Sequence, residues 1–295
     1  MHVFVTGATG FVGSAIVQEL LSHGHRVTGL ARSDAAAQAL AAAGAAAHRG
    51  SLDDPGSLRR GAEQADAVIH TAFNHDFTRF AASCEDDRRT ITALGDALAA
   101  SARRLVVTSG TALVAGGLLA TEADMPHDAH PRVASEQAAA ALAERGVHVS
   151  VVRLPPSVHG VGDQGFVPLL IALARQKGLA ACVGDGSNRW PAVHRRDAAA
   201  LFRRVAEAGR PGARYHGSAE TGVPFAEITA VIGRRLGLPV QGLAGDDAAA
   251  HFGWFRNFAA LDNPCSSEQT QQELGWQPQH AGLLADLDQP AYFER

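Results

Sequence analysis

The chain has 295 residues, of which 46% are hydrophobic and 19% charged, so its composition is that of a folded globular protein and excludes extensive disorder. A net charge of −4 provides no basic surplus for binding nucleic acid or an anionic membrane. The 26 cationic side chains include one lysine, Lys177, and tyrosine occurs only twice, as Tyr215 and Tyr292.

Short apolar runs alternate with amphipathic segments through the first half of the chain. The runs predict strands at Val3–Thr6, Arg26–Leu30, Ala67–Thr71, Leu105–Ser109 and Val147–Arg153, and a weaker one near Ala45–Arg49. Helical spacing predicts helices at Phe11–His23, Ala35–Ala43, Ser57–Gly61, Asp86–Ala100 and Val133–Arg145. This alternation predicts an α/β fold with a parallel, doubly wound sheet and right-handed crossovers.

The alternation breaks after Arg153, where Pro155-Pro156 and a glycine-rich segment follow. Beyond this point the pattern predicts helices and one short strand, at Phe166–Lys177, Asp197–Ala208, Arg214–His216 (the strand), Pro224–Leu236 and Gln269–Leu274. We therefore expect a large sheet domain at residues 1–155, to which residues 191–217 return. Residues 156–190 and 218–295 are expected to form a smaller C-terminal part that binds substrate.

The cysteines and the N-terminus bear on the compartment. Cys84, Cys182 and Cys265 are odd in number and lack metal-ligand spacing, which favours free thiols in a reducing environment and predicts no metal site. The first residues, MHVFVTGATG, show no cationic segment followed by a cleavable apolar stretch. No apolar run approaches the ~20 residues of a membrane helix. We expect a cytoplasmic protein without membrane or nucleic-acid partners.

The most specific motif follows the first predicted strand and opens the first predicted helix. It consists of Thr6, Gly7, Ala8, Thr9, Gly10, Phe11, Val12 and Gly13. Gly7 suits a tight turn, Gly10 allows close approach of a pyrophosphate, and Gly13 allows the helix to approach the strand. Helix N–H groups would then face the phosphate charge. The motif predicts a dinucleotide site.

The TGATGFVG motif resembles that of the short-chain dehydrogenase/reductase superfamily, in its extended or atypical branch. Later segments resemble family motifs too: AVIHTA at 67–72, VTSG at 107–110, RLPPSVHG at 153–160 and VHRRD at 193–197. The resemblance implies a Rossmann-type domain that binds NAD(P). Besides the glycine motif, it implies cofactor contacts from Ser51, Leu52, Thr71, Ala72, Phe73, Thr108, Pro155, Ser157 and Val158.

The residues after the second predicted strand indicate which cofactor is used. An acid at this position commonly binds the ribose 2′-hydroxyl of NAD. Here Arg32 and Ser33 follow the strand, and both suit a 2′-phosphate, whereas Asp34 reads as a helix N-cap. We expect NADP(H) as the preferred cofactor, with NAD(H) as the alternative.

The family's proton-transfer pair, Tyr-x-x-x-Lys, is absent, because Leu173 precedes Lys177 by four positions and neither tyrosine is followed by lysine at that spacing. Two alignments of the corresponding segment are possible. Asp128 and Arg132 take the tyrosine and lysine positions in one, and Arg132 and Glu136 take them in the other. Arg132 enters the site in both.

Other side chains are candidates for the missing chemistry. With Arg132, the catalytic candidates are Ser109 at the end of the fifth strand, and His159 and His194, since histidine titrates near neutral pH. The usual serine position falls on Gly110, between Ser109 and Thr111. Thr111, Arg189 and Trp190 are the substrate-binding candidates. An aromatic cluster at 251–255 either caps a pocket or forms core, and we favour core.

These features predict an NADP(H)-dependent oxidoreductase that moves a hydride to or from a small carbonyl, alcohol or activated alkene. A sugar-nucleotide epimerase or dehydratase is the second hypothesis, although its reactions also use the missing pair. A non-catalytic NADP(H)-sensing protein is the third. The expected partner is a small-molecule substrate, and the resemblance makes a homodimer plausible.

Overall fold

The protein is described here by a computed structural model covering residues 1–127 and 129–294, so Asp128 lies outside the described residues. The strands are β1 (His2–Thr6), β2 (Arg26–Ala31), β3 (Ala46–Arg49), β4 (Ala67–His70), β5 (Arg104–Gly110), β6 (His148–Leu154), β7 (Ser157–His159), β8 (Ala180–Val183), β9 (Arg189–His194), β10 (Arg214–His216), β11 (Glu220–Pro224) and β12 (Val240–Leu243). The helices are α1 (Phe11–Ser22), α2 (Asp34–Ala42), α3 (Pro55–Glu63), α4 (Phe80–Leu98), α5 (Ala134–Glu144), α6 (Phe166–Lys177), α7 (Arg195–Ala208), α8 (Phe225–Leu236), α9 (Gly245–Phe252), α10 (Arg256–Ala259), α11 (Glu268–Leu274) and α12 (Leu283–Leu287).

Seven parallel strands form the main sheet in the order β10-β6-β5-β4-β1-β2-β3. Helices cover both faces: α1 and α7 pack over one apolar cluster, and α3, α4 and α5 over another. This confirms the predicted Rossmann-type fold. The strand order reverses between β1 and β4, and ligands of such sheets bind at the carboxyl ends of the strands beside this point.

The predicted elements of the first half are present with shifted ends. The largest shift is at α4, which begins at Phe80 rather than Asp86. Asp34 was wrongly predicted as the cap of α2, because the Ser33 side chain is the cap and accepts a hydrogen bond from Ala36 N–H. Ser33 has the shorter side chain and lies one residue earlier, where the first free amides are within reach.

The C-terminal half contains a three-stranded sheet in the order β11-β9-β7 and a two-stranded sheet of β12 and β8. Its core gathers large side chains such as Trp190, Phe225, Phe252 and Phe255. The prediction that the cluster at 251–255 is core is therefore confirmed for Phe252 and Phe255, whereas Trp254 is 63% exposed. All three cysteines are free and buried. No helix in the described part of the chain is long and apolar enough to cross a membrane.

Candidate active site

The glycine motif forms a tight loop between β1 and α1. Gly7 has a φ of +69°, and a Cβ there would lie 2.7 Å from the backbone nitrogen of Ala72. A Cβ on Gly13 would lie 2.0 Å from the Gly7 carbonyl oxygen, so the helix can approach the loop only with glycine. The N-terminus of α1 has no side-chain cap, and Thr9 and Gly10 are exposed. The first amides of α1 thus have no side-chain partner, and such amides can bind an anionic diphosphate.

Arg195 is a cation beside this loop that the sequence reasoning missed. Its guanidinium donates to the Ser14 hydroxyl at 3.0 Å and lies 4.6 Å from the ring centroid of Phe11. Both partners belong to the first turn of α1. Two adjacent arginines, Arg195 and Arg196, follow β9 and could have indicated a cation here. The sequence analysis used them only as part of the VHRRD segment at 193–197. Arg195 places a positive charge where the cofactor's diphosphate would bind.

The second strand ends in a positively charged corner. Arg32 is exposed, and within the described residues no ion pair or hydrogen bond involves its side chain. Asp34, the nearby acid, is instead paired with Arg49 at the end of β3. Arg49 therefore neutralises the Asp34 carboxylate, and the Arg32 guanidinium is left available for an anionic ligand.

Two threonines hold the strand ends under the groove. The Thr71 hydroxyl donates to the Thr6 carbonyl at 2.8 Å, and the Thr108 hydroxyl donates to the His70 carbonyl at 2.7 Å. Ser51 and Leu52 are half-buried after β3, where Leu52 packs against the core and the Ser51 hydroxyl accepts from the Asp53 N–H. These contacts fix backbone positions along the predicted path of the cofactor.

The segment after β6 presents a buried polar atom without a partner. Pro155 and Ser157 are buried and Val158 is half-buried, and in the described chain the Ser157 hydroxyl makes no hydrogen bond. Leaving a buried hydroxyl unpaired is costly, so the Ser157 hydroxyl is available to an ordered water or a ligand. The loop, the charged corner and this hydroxyl together fit a dinucleotide.

A buried hydrogen-bond chain connects the glycine loop to Arg132. The His70 ring contacts the Thr6 hydroxyl at 2.6 Å through Nδ1 and the Asp87 carboxylate at 2.9 Å through Nε2. The other oxygen of Asp87 accepts from Arg132 and from the Ser135 hydroxyl, each at 2.6 Å. Burial alone would raise the pKa of Asp87, but His70 and Arg132 outweigh burial and lower it. Asp87 is thus a carboxylate that fixes Arg132.

Arg132 also contacts strand β5 and the loop after β4. Its guanidinium donates to the Thr108 carbonyl at 3.2 Å and lies 4.2 Å from the ring centroid of Phe73. The arginine also contacts Ser135. Fixed by these partners, the guanidinium can bind an oxyanion but is a poor proton donor, because arginine stays charged near neutral pH.

Two histidines near Arg132, His75 and His130, could transfer protons, and neither is among the catalytic candidates predicted from the sequence. The His75 ring is exposed and lies 5.2 Å from the Phe73 ring, while His130 lies 5.8 Å from Phe80. Partial desolvation and the charge of Arg132 lower the pKa of both rings. Both are therefore neutral at pH 7 and can pass on a proton from water.

Ser109 and Glu136 belong to a separate buried cluster. The Ser109 hydroxyl donates to Glu136 at 2.7 Å, and Arg153 donates to both Glu136 oxygens at 2.8 Å. Arg214 adds a contact at 3.3 Å from β10. These partners lie on β5, β6 and β10, and Glu136 is 3% exposed. Glu136 is thus the acid of a buried ion pair, whereas the second alignment gives it the position of the missing lysine.

His159 and His194 form a further cluster with C-terminal residues. His159 is buried, contacts Asp286 at 2.8 Å and lies 5.5 Å from the His194 ring, which stacks on His280 at 4.6 Å. Desolvation and the neighbouring His159 and His280 lower the pKa of His194 to about 4. At neutral pH His194 is thus uncharged. As a catalytic acid, the role predicted from the sequence, it would have a single ring proton to donate.

The groups of His194, Asp197 and His280 lie within 4.8 Å of one another, which is close enough for a shared metal ion. However, the oxygens of Asp197 already accept hydrogen bonds from the backbone of Gln279, from the backbone of His280 and from its ring. Because both oxygens of Asp197 already accept hydrogen bonds that hold the Gln279–His280 segment, we infer no metal ion at this cluster.

The three predicted substrate residues do not converge on Arg132. The Trp190 side chain is fully buried among Phe225, Phe255 and Phe258, so the prediction that it covers a ligand is wrong for this structure. Thr111 is also fully buried. Arg189 is paired with Asp262 at 2.8 Å, although its side chain is 41% exposed. The sequence around β9 is rich in polar residues, so it did not reveal that the Trp190 side chain packs in an apolar core.

Known proteins share the sequence pattern and the fold of this chain. The model of the NAD dependent epimerase/dehydratase family matches residues 3–216. The chain is 47% identical over 295 residues to "Uncharacterized protein C2A9.02" of Schizosaccharomyces pombe, covering 99% of this chain and all of that protein. It is 32% identical over 235 residues to the 2-alkyl-3-oxoalkanoate reductase of Stenotrophomonas maltophilia, covering 74% of this chain and 69% of that protein. A ketoreductase of Stigmatella aurantiaca is 32% identical over 190 residues, 60% of this chain and 56% of that protein.

Among solved structures, the dTDP-glucose 4,6-dehydratase DesIV from Streptomyces venezuelae superimposes with a TM-score of 0.80 at 23% identity, over 100% of this chain and 97% of that one. This similarity shows the shared fold. The chain belongs to the NAD dependent epimerase/dehydratase family. It is an NAD(P)-dependent enzyme of the short-chain dehydrogenase/reductase type.

Proposed function

We propose that the enzyme prefers NADP(H) and transfers a hydride to or from a small carbonyl compound, alcohol or activated alkene. The observation that carries the proposal is that Asp87 and the Thr108 carbonyl fix the Arg132 guanidinium against the Phe73 ring, and Thr108 and Phe73 are two of the expected cofactor contacts. The bound nicotinamide would supply or accept the hydride. Arg132 would bind the substrate oxygen and stabilise the negative charge that develops on it.

The proton required for carbonyl reduction would come through His75 or His130. Both rings lie in the aromatic surroundings of Arg132, and His75 is open to solvent. A neutral imidazole can donate one ring proton to the forming alkoxide and regain a proton from water at the other nitrogen. We propose that His159 and His194 lie near the diphosphate, because Arg195 follows His194 directly and donates to the Val161 carbonyl, two residues after His159, at 3.1 Å.

Carbonyl reduction is favoured over sugar-nucleotide chemistry by the names of two relatives. One is a 2-alkyl-3-oxoalkanoate reductase and the other a ketoreductase, so both names describe reduction at a ketone. Absence of the tyrosine and lysine pair also weighs less against simple reduction, for which one oxyanion-binding group and a proton relay suffice.

Arg32 should determine the preference for NADPH. Replacing Arg32 with alanine should weaken NADPH binding by about 10- to 100-fold, the value of charge-assisted hydrogen bonds to a phosphate. NADH has no 2′-phosphate, so its dissociation constant should change less than about threefold. Calorimetric titration of both cofactors measures this. The matched control is Arg60→Ala, an exposed arginine on α3. Equal affinities of the parent enzyme for NADPH and NADH would contradict the assignment.

Oxidation of NADPH, followed by absorbance with a panel of ketones, aldehydes and enones, tests the proposed activity. We expect turnover with at least one simple ketone, and production of the matching alcohol. Tight NADPH binding without turnover across the panel would instead favour a sensing role.

A further inference from the structure

Five aromatic rings form a continuous series beside Arg132, and we call Phe73, Phe77, Phe80, Phe166 and Trp254 the aromatic strip. Phe73 lies 6.0 Å from Phe80, and Phe80 stacks with Phe77 at 5.8 Å and 16°. Phe77 in turn stacks with Trp254 at 4.9 Å and 26°, and lies 6.5 Å from Phe166. Stacked and tilted contacts of this kind are favourable, so the rings hold one another in place.

The strip joins two separate parts of the chain. Phe73, Phe77 and Phe80 come from the segment between β4 and the start of α4, whereas Trp254 lies after α9 and Phe166 opens α6. The Phe77–Trp254 stack is therefore a contact between the main-sheet domain and the C-terminal elements.

The outer end of the strip is unusually exposed. Phe77 is 41% and Trp254 is 63% exposed, whereas Trp190 and Trp276 are fully buried. Leaving two large apolar rings in water forfeits the free energy that their burial would provide. Neighbouring exposed aromatic side chains of this kind are typical of binding surfaces.

The inner end of the strip is continuous with the proposed reaction site. The Phe73 ring lies 4.2 Å from the Arg132 guanidinium, and His130 meets the edge of Phe80. Arg132 is the cation that stacks on the strip in the described chain. Arg132 lies at one end of the aromatic strip, so the two together are complementary to a ligand that has one polar oxygen and a flat apolar ring.

We propose that the aromatic strip is the subsite for an aryl group of the substrate, whose carbonyl oxygen is bound by Arg132. This inference rests on the proposed function. Phe77 and Trp254 are the specificity-determining residues, because their side chains are the most exposed of the strip, at 41% and 63%, and can contact an incoming ring. A sugar-nucleotide diphosphate would find no matching charge along the strip.

Two ketones that share a CH₃–CO–CH₂– unit test this inference, 4-phenyl-2-butanone and 2-butanone. The aryl ketone should have a KM about 10- to 100-fold lower, the value of burying one phenyl ring. Phe77→Ala should raise the KM of the aryl ketone by about 3- to 10-fold and leave that of 2-butanone within about twofold. Val240→Ala, an exposed apolar position on β12, is the control and should change neither.

Trp254 also provides a readout that needs no turnover. Because the other two tryptophans are fully buried, acrylamide should quench mainly the fluorescence of Trp254. With NADP⁺ bound, 4-phenyl-2-butanone should reduce this quenching, 2-butanone should not, and Trp254→Phe should abolish the quenchable signal. Binding of NADP⁺ by each variant checks that it is folded.

The outcomes separate the two proposals. Reduction of 2-butanone without any preference for the aryl ketone, and without protection of Trp254, overturns the subsite and leaves the proposed function intact. Protection of Trp254 without reduction of either ketone supports the subsite and overturns the proposed function. Protection together with the KM difference supports both.

Discussion

Replacing Glu136 with alanine is expected to destabilise the fold by about 3–5 kcal/mol, because it leaves a buried arginine without its counter-ion. Arg153 is fully buried and Glu136 is 3% exposed, and two hydrogen bonds of 2.8 Å join them. Urea unfolding at pH 7 measures the change. Asp96→Ala removes an exposed ion pair with Arg145 and should cost less than about 1 kcal/mol.

The pH dependence of unfolding provides a second test of Glu136. Burial alone would raise its pKa, but the bonds from Arg153 and Ser109 and the charge of Arg214 outweigh burial and lower it. A carboxyl with a lowered folded-state pKa adds stability above its unfolded pKa of 4.5 and loses it as the pH falls through the folded value. The Glu136→Ala enzyme should therefore lose less stability on acidification below pH 4.5 than the parent.

The double variant Glu136→Leu/Arg153→Met distinguishes structure from chemistry. Removing both charges should recover most of the stability lost by Glu136→Ala, since no unpaired charge remains. If Glu136 instead served as the replacement for the missing lysine, cofactor binding would fall in the double variant while the stability of Glu136→Ala stayed near that of the parent. That result would refute the assignment.

Replacing Arg132 with alanine should lower kcat/KM for a reducible ketone by about 10²- to 10³-fold, as expected for loss of an oxyanion-binding donor. The NADPH dissociation constant should change less than kcat/KM, by under about tenfold, because Arg132 touches Thr108 and Phe73, two of the expected cofactor contacts, but none of the glycines of the loop. Steady-state kinetics and calorimetric titration measure the two quantities.

Two further variants control the Arg132 experiment. Arg132→Lys keeps the charge beside Asp87 but loses the planar fork, so it should retain the fold and show an intermediate rate. Arg145→Ala removes an exposed arginine at the end of α5 and should leave the rate unchanged. An Arg132→Ala enzyme with parental kcat/KM would show that another group binds the substrate oxygen.

The main sheet was predictable because its signals are local. Buried parallel strands are apolar throughout, and the glycine motif marks the one loop where Gly7 and Gly13 leave no room for a Cβ. The small sheets were missed for the opposite reason. β7 has only three residues, and β9 contains Arg189 and Pro191. Neither strand therefore shows the hydrophobic periodicity from which a strand is predicted.

The candidate site was only partly predictable. Arg132 stood out because this chain lacks the family's usual tyrosine and lysine. The hydrogen bonds that hold Arg132 run through Thr6, His70 and Asp87, which are far apart in sequence and could not be predicted from it. Asp87 reads as one more surface acid of a helix that also carries Asp86, and only tertiary packing buries it. Exposed Phe77 and Trp254 likewise meet only when the two parts of the chain fold together.

The central claim is that hydride transfer proceeds here without tyrosine and lysine, with Arg132 at the substrate oxygen. The most direct test incubates the enzyme with 2-butanone and NADPH deuterated at C4 on either face, and analyses the 2-butanol by mass spectrometry. We predict that one of the two labelled cofactors transfers one deuterium per alcohol and that the yield collapses in Arg132→Ala. Alcohol without deuterium from both cofactors, or equal transfer by the Arg132→Ala enzyme, would contradict the account.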